Sequence, residues 1–143
     1  MAKARDIMTP DATCVGEKES LMDAARKMAD LGVGSLPICG EDNRLKGMLT
    51  DRDIVVKAVA AGRNPSDVLA GELGQGKPVT IGADDSLQET LHTMAQYKVR
   101  RLPVIDGHDL VGIVSLADVA REYSDDAAKG DLIETISEGP PQN

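Results

Sequence analysis

The chain repeats itself, and the repeat limits its fold more than any other feature. Ser20-Leu21 returns as Ser86-Leu87, Met28 as Met94, and Leu36-Pro37-Ile38 as Leu102-Pro103-Val104, each 66 residues further on. After the turn that follows, "GMLTDRD" (Gly47 to Asp53) returns as "GIVSLAD" (Gly112 to Asp118) at a spacing of 65. The lost residue lies between "CGEDNRL" and "IDGHDL", where a hairpin turn tolerates a deletion. A unit this small leaves one face of its sheet uncovered when alone, so the two copies are expected to pack as one module.

Period and punctuation order the elements within each copy. "ATCVG" and "PVTIG" are short β-branched runs closed by glycine and read as strands. Leu21, Ala24, Ala25 and Met28 recur at helical spacing, as do Leu87, Leu91, Met94 and Ala95. Ser20 with Asp23 and Ser86 with Glu89 mark the starts of these helices. "GSLPIC" and "VRRLPVI" then form hairpins with "LKGMLT" and "LVGIVS" across turns rich in Asp, Gly and Asn. A second helix is predicted from Asp51 to about Ala61 and from about Leu116 to Tyr123.

The fold class is therefore α/β, of the α+β kind: two pseudo-symmetric domains, each strand, helix, strand, strand, helix, packed sheet to sheet. The predicted boundaries are 5–62 for the first domain, 63–78 for a linker and 79–124 for the second domain. An acidic tail, 125–143, is expected to hold a short helix in "KGDLIETISE" and disorder in "EGPPQN".

Composition removes several function classes. The 143 residues include no Trp and no Phe, and only Tyr97 and Tyr123 are aromatic, so the core must be built from Val, Ile, Leu, Met and Ala. Stacking of bases on aromatic side chains is excluded. A net charge of −8 without a long Lys/Arg run argues against a nucleic-acid partner. "MAKARDIMTP" lacks the apolar segment of a signal peptide, and no window reaches the about 18 apolar residues of a membrane span. The expectation is a cytoplasmic protein without a membrane partner.

Cys14, Cys39, His92 and His108 are too scattered for a structural zinc site, and no metal or required cofactor is expected. His92 falls on an amphipathic helix and His108 in the turn "DGHDL". No Ser or Cys has a recognisable base and orienting partner, no phosphate loop is present, and the glycines of "GELGQG" are in the wrong register for a dinucleotide fingerprint. Catalysis is not expected.

Thr50 with Asp53, and Ser115 with Asp118, stand at the strand-to-helix junction of each copy. As caps, the hydroxyls accept a backbone N–H and the carboxylates favour the positive helix end. A reciprocal capping box prefers Glu or Gln at the third helical position, and Asp is short for reaching back. Asp in both copies therefore points beyond the cap. A helix start offers N–H groups to a phosphate, a hydroxyl adds a donor, and a carboxylate one turn along accepts ribose hydroxyls. Gly47 and Gly112, three residues earlier, would let another group approach the strand backbone.

The stretches "DIMTPDATCV", "SLMDAARKMADLGVGSLPI" and "LKGMLTDRDI", with "PVTIGADDSLQETLHTMAQYKVRRLPVID" and "LVGIVSLADV", resemble a tandem pair of cystathionine-β-synthase (CBS) domains, a Bateman module. The resemblance covers about residues 5 to 123. It implies two domains facing each other across their sheets, with two clefts of which one or both hold AMP, ADP, ATP or a related adenosyl compound. Carried over by position, Thr50 and Ser115 contact phosphate and Asp53 and Asp118 bind ribose, with Asp51 and Arg52 between them in the first copy. Thr13, Cys14 and Val15, and likewise Val79, Thr80 and Ile81, border the base. Leu36, Pro37 and Ile38, with Leu102, Pro103 and Val104, wall the clefts, and Arg100 and Arg101 precede the second wall, where basic residues reach phosphate. "SLAD" lacks the charged pair of "TDRD", which sets the second copy apart.

The same resemblance implies a homodimer whose output passes to an unidentified effector protein or through self-association. Cys14 and Cys39 stand where the family more usually has β-branched residues. Were the first two strands of the copy parallel neighbours, the sulfurs would be close, which leaves two readings: free buried thiols, the default in a reducing cytosol, and a Cys14–Cys39 disulfide. The alternative function is an interaction or stress-response protein that binds no nucleotide and uses Cys14 and Cys39 as a redox latch.

Overall fold

The computed structural model describes residues 2–74 and 78–122. The predicted helix end at Tyr123 and the two predictions for the tail lie outside the described residues. In chain order the strands are β1 (Thr9–Pro10), β2 (Val15–Gly16), β3 (Ser35–Cys39), β4 (Leu45–Thr50), β5 (Ile81–Gly82), β6 (Arg101–Asp106) and β7 (Asp109–Ser115). The helices are α1 (Ala4–Ile7), α2 (Leu21–Leu31), α3 (Asp51–Asp53), α4 (Ala70–Leu73), α5 (Leu87–Tyr97) and α6 (Leu116–Glu122). Helix α3 runs into a π-helical stretch, Ile54–Val59, in which the Ala60 N–H reaches the Val55 carbonyl at 2.8 Å.

The chain forms two compact units, one of Thr13–Pro78 and one that joins Met1–Ala12 to Val79–Asn143. In the first, β2 runs parallel to β3 and β4 antiparallel to it, giving the order β2-β3-β4. In the second, β5, β6 and β7 repeat that arrangement and β1 is added outside β7, giving the order β1-β7-β6-β5. The predicted hairpins are therefore present in both copies. Helix α2 starts where Ser20 Oγ accepts the Asp23 N–H at 3.1 Å, and α5 where Ser86 Oγ accepts the Glu89 N–H at 3.1 Å. Leu21, Ala24 and Met28 of α2 pack with Val15, Leu36, Ile38 and Leu49 in one core, and Leu91 and Met94 of α5 with Ile81, Leu102, Val104 and Val114 in the other. Each such side chain contributes about 1.5–3 kcal/mol by leaving water.

The units do not follow the order of the chain. Helix α1 opens the first copy, yet it lies in the unit of the second: the Ala4 and Arg5 N–H groups donate to the Asp85 and Ala83 carbonyls at 2.9 Å each. Helix α4, 66 residues later, does the converse. There the Ala70 and Gly71 N–H groups donate to the Glu19 and Glu17 carbonyls at 2.8 and 2.9 Å. The stretch expected to be a linker is thus structural, with Val68, Ala70 and Leu73 buried in the core of Thr13–Pro78. Its one short 3-10 turn, Pro65–Asp67, is opened by Asn64, whose Oδ1 accepts the Ser66 N–H.

Each leading helix makes ion pairs: Glu72 of α4 with Arg63 at 3.1 Å, and Arg5 of α1 with two carboxylates. Arg5 Nε pairs with Asp84 at 2.8 Å and its Nη2 with Asp106 at 3.4 Å, whereas the residue in its place in α4 is Gly71. The Arg5 guanidinium holds the Asp84 carboxyl below the usual carboxylate range, chiefly by the hydrogen bond between them. Both partners are well exposed, so the pair adds little stability by itself.

Candidate functional site

Both hydroxyl–carboxylate couples close on themselves. Thr50 Oγ1 accepts the Asp53 N–H at 3.0 Å, and Asp53 Oδ2 accepts the Thr50 N–H at 3.0 Å. Ser115 Oγ accepts the Asp118 N–H at 3.1 Å, and Asp118 Oδ2 the Ser115 N–H at 2.9 Å. This corrects the expectation that Asp is too short for a capping box. Asp reaches because the cap residue ends a strand in extended conformation (Thr50 φ −113°, ψ 159°), which turns its N–H toward the first helical turn.

Closing the cap uses one carboxylate oxygen and leaves Oδ1. Lys57 Nζ lies 3.4 Å from Asp53 Oδ1, and Arg121 Nη2 contacts Asp118 Oδ1. The hydroxyls accept one hydrogen bond each and keep their own proton to donate. The side chain of Asp53 retains 23 % of its accessibility and that of Asp118 13 %. What the fold presents, then, is one hydroxyl proton and one carboxylate oxygen in each copy, at fixed positions. Asp51 and Arg52 of the first copy are exposed, with the Arg52 N–H bonded to Asp51 Oδ1 at 2.8 Å.

Strand register decides which other candidates come near. Ser35 pairs with Thr50, and Arg101 pairs with Ser115, so the second copy sets a guanidinium-bearing residue directly across from its hydroxyl. Arg101 is half-buried and Arg100 exposed, and neither has an ion-pair partner among the described residues. The Arg100 carbonyl accepts the Leu116 N–H at 2.7 Å and so ties β6 to the start of α6.

The predicted wall and base-border residues separate by burial. Leu36, Ile38, Leu102 and Val104 are core residues, as are Val15 and Ile81, and Pro37 and Pro103 are buried too. Thr13 and Thr80 are exposed, while Cys14 and Val79 are half-buried. The middle of each predicted wall serves packing, and the exposed members of the set are Thr13 and Thr80.

The two glycines before the hydroxyls have a role that sequence reasoning placed elsewhere. A Cβ at Gly112 would lie 2.6 Å from the Thr9 carbonyl oxygen, and a Cβ at Gly47 would lie 2.8 Å from that of Gly74. The group that approaches the strand is the chain itself: β1 beside β7 in one unit, and the end of α4 beside β4 in the other.

Cys14 and Cys39 are disulfide-bonded, with Cα atoms 5.8 Å apart. The default of free thiols is corrected. The parallel register that puts Val15 opposite Ile38 and Gly16 opposite Cys39 brings the two residues together. Next to them, Lys27 Nζ donates to the Cys14 carbonyl at 3.1 Å and to Glu19 Oε2 at 2.8 Å. The Lys27 hydrogen bond, helped by the Gly16 N–H, holds the Glu19 carboxyl below its ordinary range. The sequence signal for Lys27 was its position two turns after the cap of α2, which alone does not distinguish it from a solvated surface lysine.

Among the described residues, no group of three or more His, Cys, Asp or Glu stands ready for a metal ion, and no helix is long and apolar enough to cross a membrane.

Comparison with known proteins adds the following. The family model for the CBS domain matches residues 4–59 and 70–125, so each match begins at the helix, α1 or α4, that packs in the other unit. Hypoxic response protein 1 of Mycobacterium tuberculosis is 52 % identical over 127 residues, covering 89 % of each chain. The CBS domain-containing protein YhcV of Bacillus subtilis is 37 % identical over 141 residues, covering 96 % of each. Among solved structures, Hypoxic Response Protein I with two coordinated zinc ions superposes with a TM-score of 0.80 at 52 % identity, over 85 % of this chain and 99 % of the other. CBSX2 in complex with AMP superposes with a TM-score of 0.74 at 24 % identity, over 85 % of this chain and 96 % of the other, a likeness of fold alone.

Proposed function

The chain belongs to the CBS-domain family, and from that premise we propose that it is a regulatory module that binds an adenine nucleotide in one or both of its copies. The observation that carries the reading is the recurrence of one arrangement in both copies: a hydroxyl that keeps its proton and, three residues on, a carboxylate oxygen left over from the cap. The hydroxyl of Thr50 or Ser115 donates a hydrogen bond to a phosphate oxygen, and the ribose hydroxyls donate to Asp53 or Asp118. Arg101, across from Ser115, favours the second copy for the phosphate. AMP, ADP, ATP and related adenosyl compounds all carry these groups.

Calorimetric titration with AMP, ADP, ATP, NAD and S-adenosylmethionine tests the reading. Asp53→Asn and Asp118→Asn keep an acceptor for the cap and remove the charge that the ribose hydroxyls bond to. A hydrogen bond to a charged group is worth about 1.5–3 kcal/mol, so each variant is expected to bind at least about ten-fold more weakly at its own cleft with little loss of stability. No heat from any of the five compounds with the unaltered protein would reject the reading.

The output is proposed to be non-catalytic and cytoplasmic, and to run through a homodimer to an effector protein. What supports the dimer is an apolar face confined to the first copy: Val55, Val56 and Val59 are 57 %, 47 % and 56 % exposed, while Ala120 and Arg121 stand in the places of Val55 and Val56 in the second. Val55→Glu with Val59→Glu is expected to turn a dimer into a monomer in light scattering. A double variant that stays dimeric would move the interface elsewhere.

A second reading is favoured by the Cys14–Cys39 disulfide and by the identity to a hypoxic response protein: an interaction or stress-response protein with empty clefts and a redox latch. The same titration separates the two, since only the first produces nucleotide-dependent heat.

A further inference from the structure

We infer that the Cys14–Cys39 pair is a redox-modification site, taking a dithiol reductant, that controls ligand affinity in the first copy and leaves the second copy untouched. For the ligand, this rests on the nucleotide reading above. The disulfide joins the residue that precedes β2 to the last residue of β3, and both half-cystines adjoin residues assigned to the cleft: Thr13 and Val15 on one side, Ile38 on the other. Besides the disulfide, the corner is held by Val15 in the core, by the Gly16 N–H on Glu19 Oε2 at 2.8 Å and by a short ladder. Strand β2 meets β3 over two residue pairs, Val15 with Ile38 and Gly16 with Cys39, and the Glu17 N–H adds one bond to the Cys39 carbonyl at 3.0 Å. With the sulfurs joined, Thr13 and Cys14 are fixed against the end of β3. With the bond opened, the covalent part of that hold is gone, and the two-pair ladder and the Lys27 ammonium at the Cys14 carbonyl are among the contacts that remain.

The second copy shows that the corner folds without a staple. Thr80 and Ile105 stand where Cys14 and Cys39 do, and β5 still pairs with β6 through Ile81 with Val104 and Gly82 with Ile105. Opening the disulfide therefore loosens one corner of one copy without removing its fold, and it gives the two copies different responses.

The chemistry is thiol–disulfide exchange. Cys14 is half-buried and Cys39 is 6 % exposed, so the thiolate of a dithiol attacks Cys14 Sγ, breaks the Sγ–Sγ bond and releases the Cys39 thiolate. The second thiol of the reductant then resolves the mixed disulfide and frees Cys14. Two electrons and two protons pass to the protein, and the dithiol leaves as a disulfide.

The test uses the full chain carrying Arg101→Ala and Asp118→Asn, which remove both groups assigned to the second copy's ligand so that the heat of AMP binding reports the first copy, in three forms: oxidised, reduced with dithiothreitol, and Cys14→Thr with Cys39→Ile. The last installs the pair that the second copy already uses. Reduction and the double substitution are both expected to weaken AMP by about 5- to 150-fold, the range of an allosteric coupling. Amide exchange should quicken at residues 13–17 and stay unchanged at 79–83. Equal AMP affinity in the three forms, or unchanged exchange at 13–17, overturns the redox inference and leaves the nucleotide reading in place. Absence of AMP binding in every form, with the unaltered protein also silent toward the other nucleotides, overturns both.

Discussion

Gly112→Val is expected to lower the thermal midpoint by roughly 10 °C, from a loss of about 3 kcal/mol at the upper end of the overpacking range. Even the first carbon of the new side chain lies 2.6 Å from both the Thr9 carbonyl oxygen and Met8 Sδ. Methionine can swing away, but the carbonyl belongs to β1, which is held in register by Thr9 opposite Ile113 and Pro10 opposite Gly112. The strand must then leave β7, and α1 with its buried Ala4 is pulled after it. Hydrogen exchange should show residues 2–12 released first. Gly107→Asn is the control: this glycine has φ +66° with nothing within 4 Å of an added Cβ, and Asn tolerates that conformation. A melting temperature that moves equally little in both variants would show that the docking of residues 2–12 is not tight.

Loss of the disulfide is expected to rank next. In the chain-entropy account, a link across a sequence separation of 25 contributes about 3.5 kcal/mol by restricting the unfolded chain. Urea unfolding of Cys14→Thr with Cys39→Ile, compared with the oxidised protein, measures it as a lower midpoint. The pair keeps an apolar residue at the buried position 39 and a small one at the half-buried position 14, and the comparison in reductant separates the covalent effect from repacking. The loss should vanish when both proteins are compared in reductant. A deficit that persists there would assign the effect to the substituted side chains.

The order of elements was legible because it depends on local physics. Leu21, Ala24 and Met28 must share a helix face wherever the helix sits, and Ser20 and Ser86 must cap because their helices begin with unpaired N–H groups. The two hairpins follow from alternation around Asp, Gly and Asn turns, and the duplicated Thr50–Asp53 and Ser115–Asp118 couples stood out by their shared place in the repeat. Their closure into reciprocal caps did not, since reach depends on backbone angles at the strand end rather than on side-chain length alone.

Sequence by itself thus determined two copies of one α/β pattern and the family they belong to. Tertiary structure alone decided the destination of the leading helices: α1 to the second copy's unit, α4 to the first's. The apolar residues of such a short helix say only that one face must be buried, and Ala4 and Ala70 meet matching acceptors, the carbonyls of Asp85 and Glu19. Chain path selects the berth together with pairs such as Arg5 with Asp84, where the first copy has Lys18, and these residues meet only in the folded chain. The same holds for the sulfur bond and for the glycines at 47 and 112, whose partners lie 25 or more residues away and become neighbours only when the strands pair.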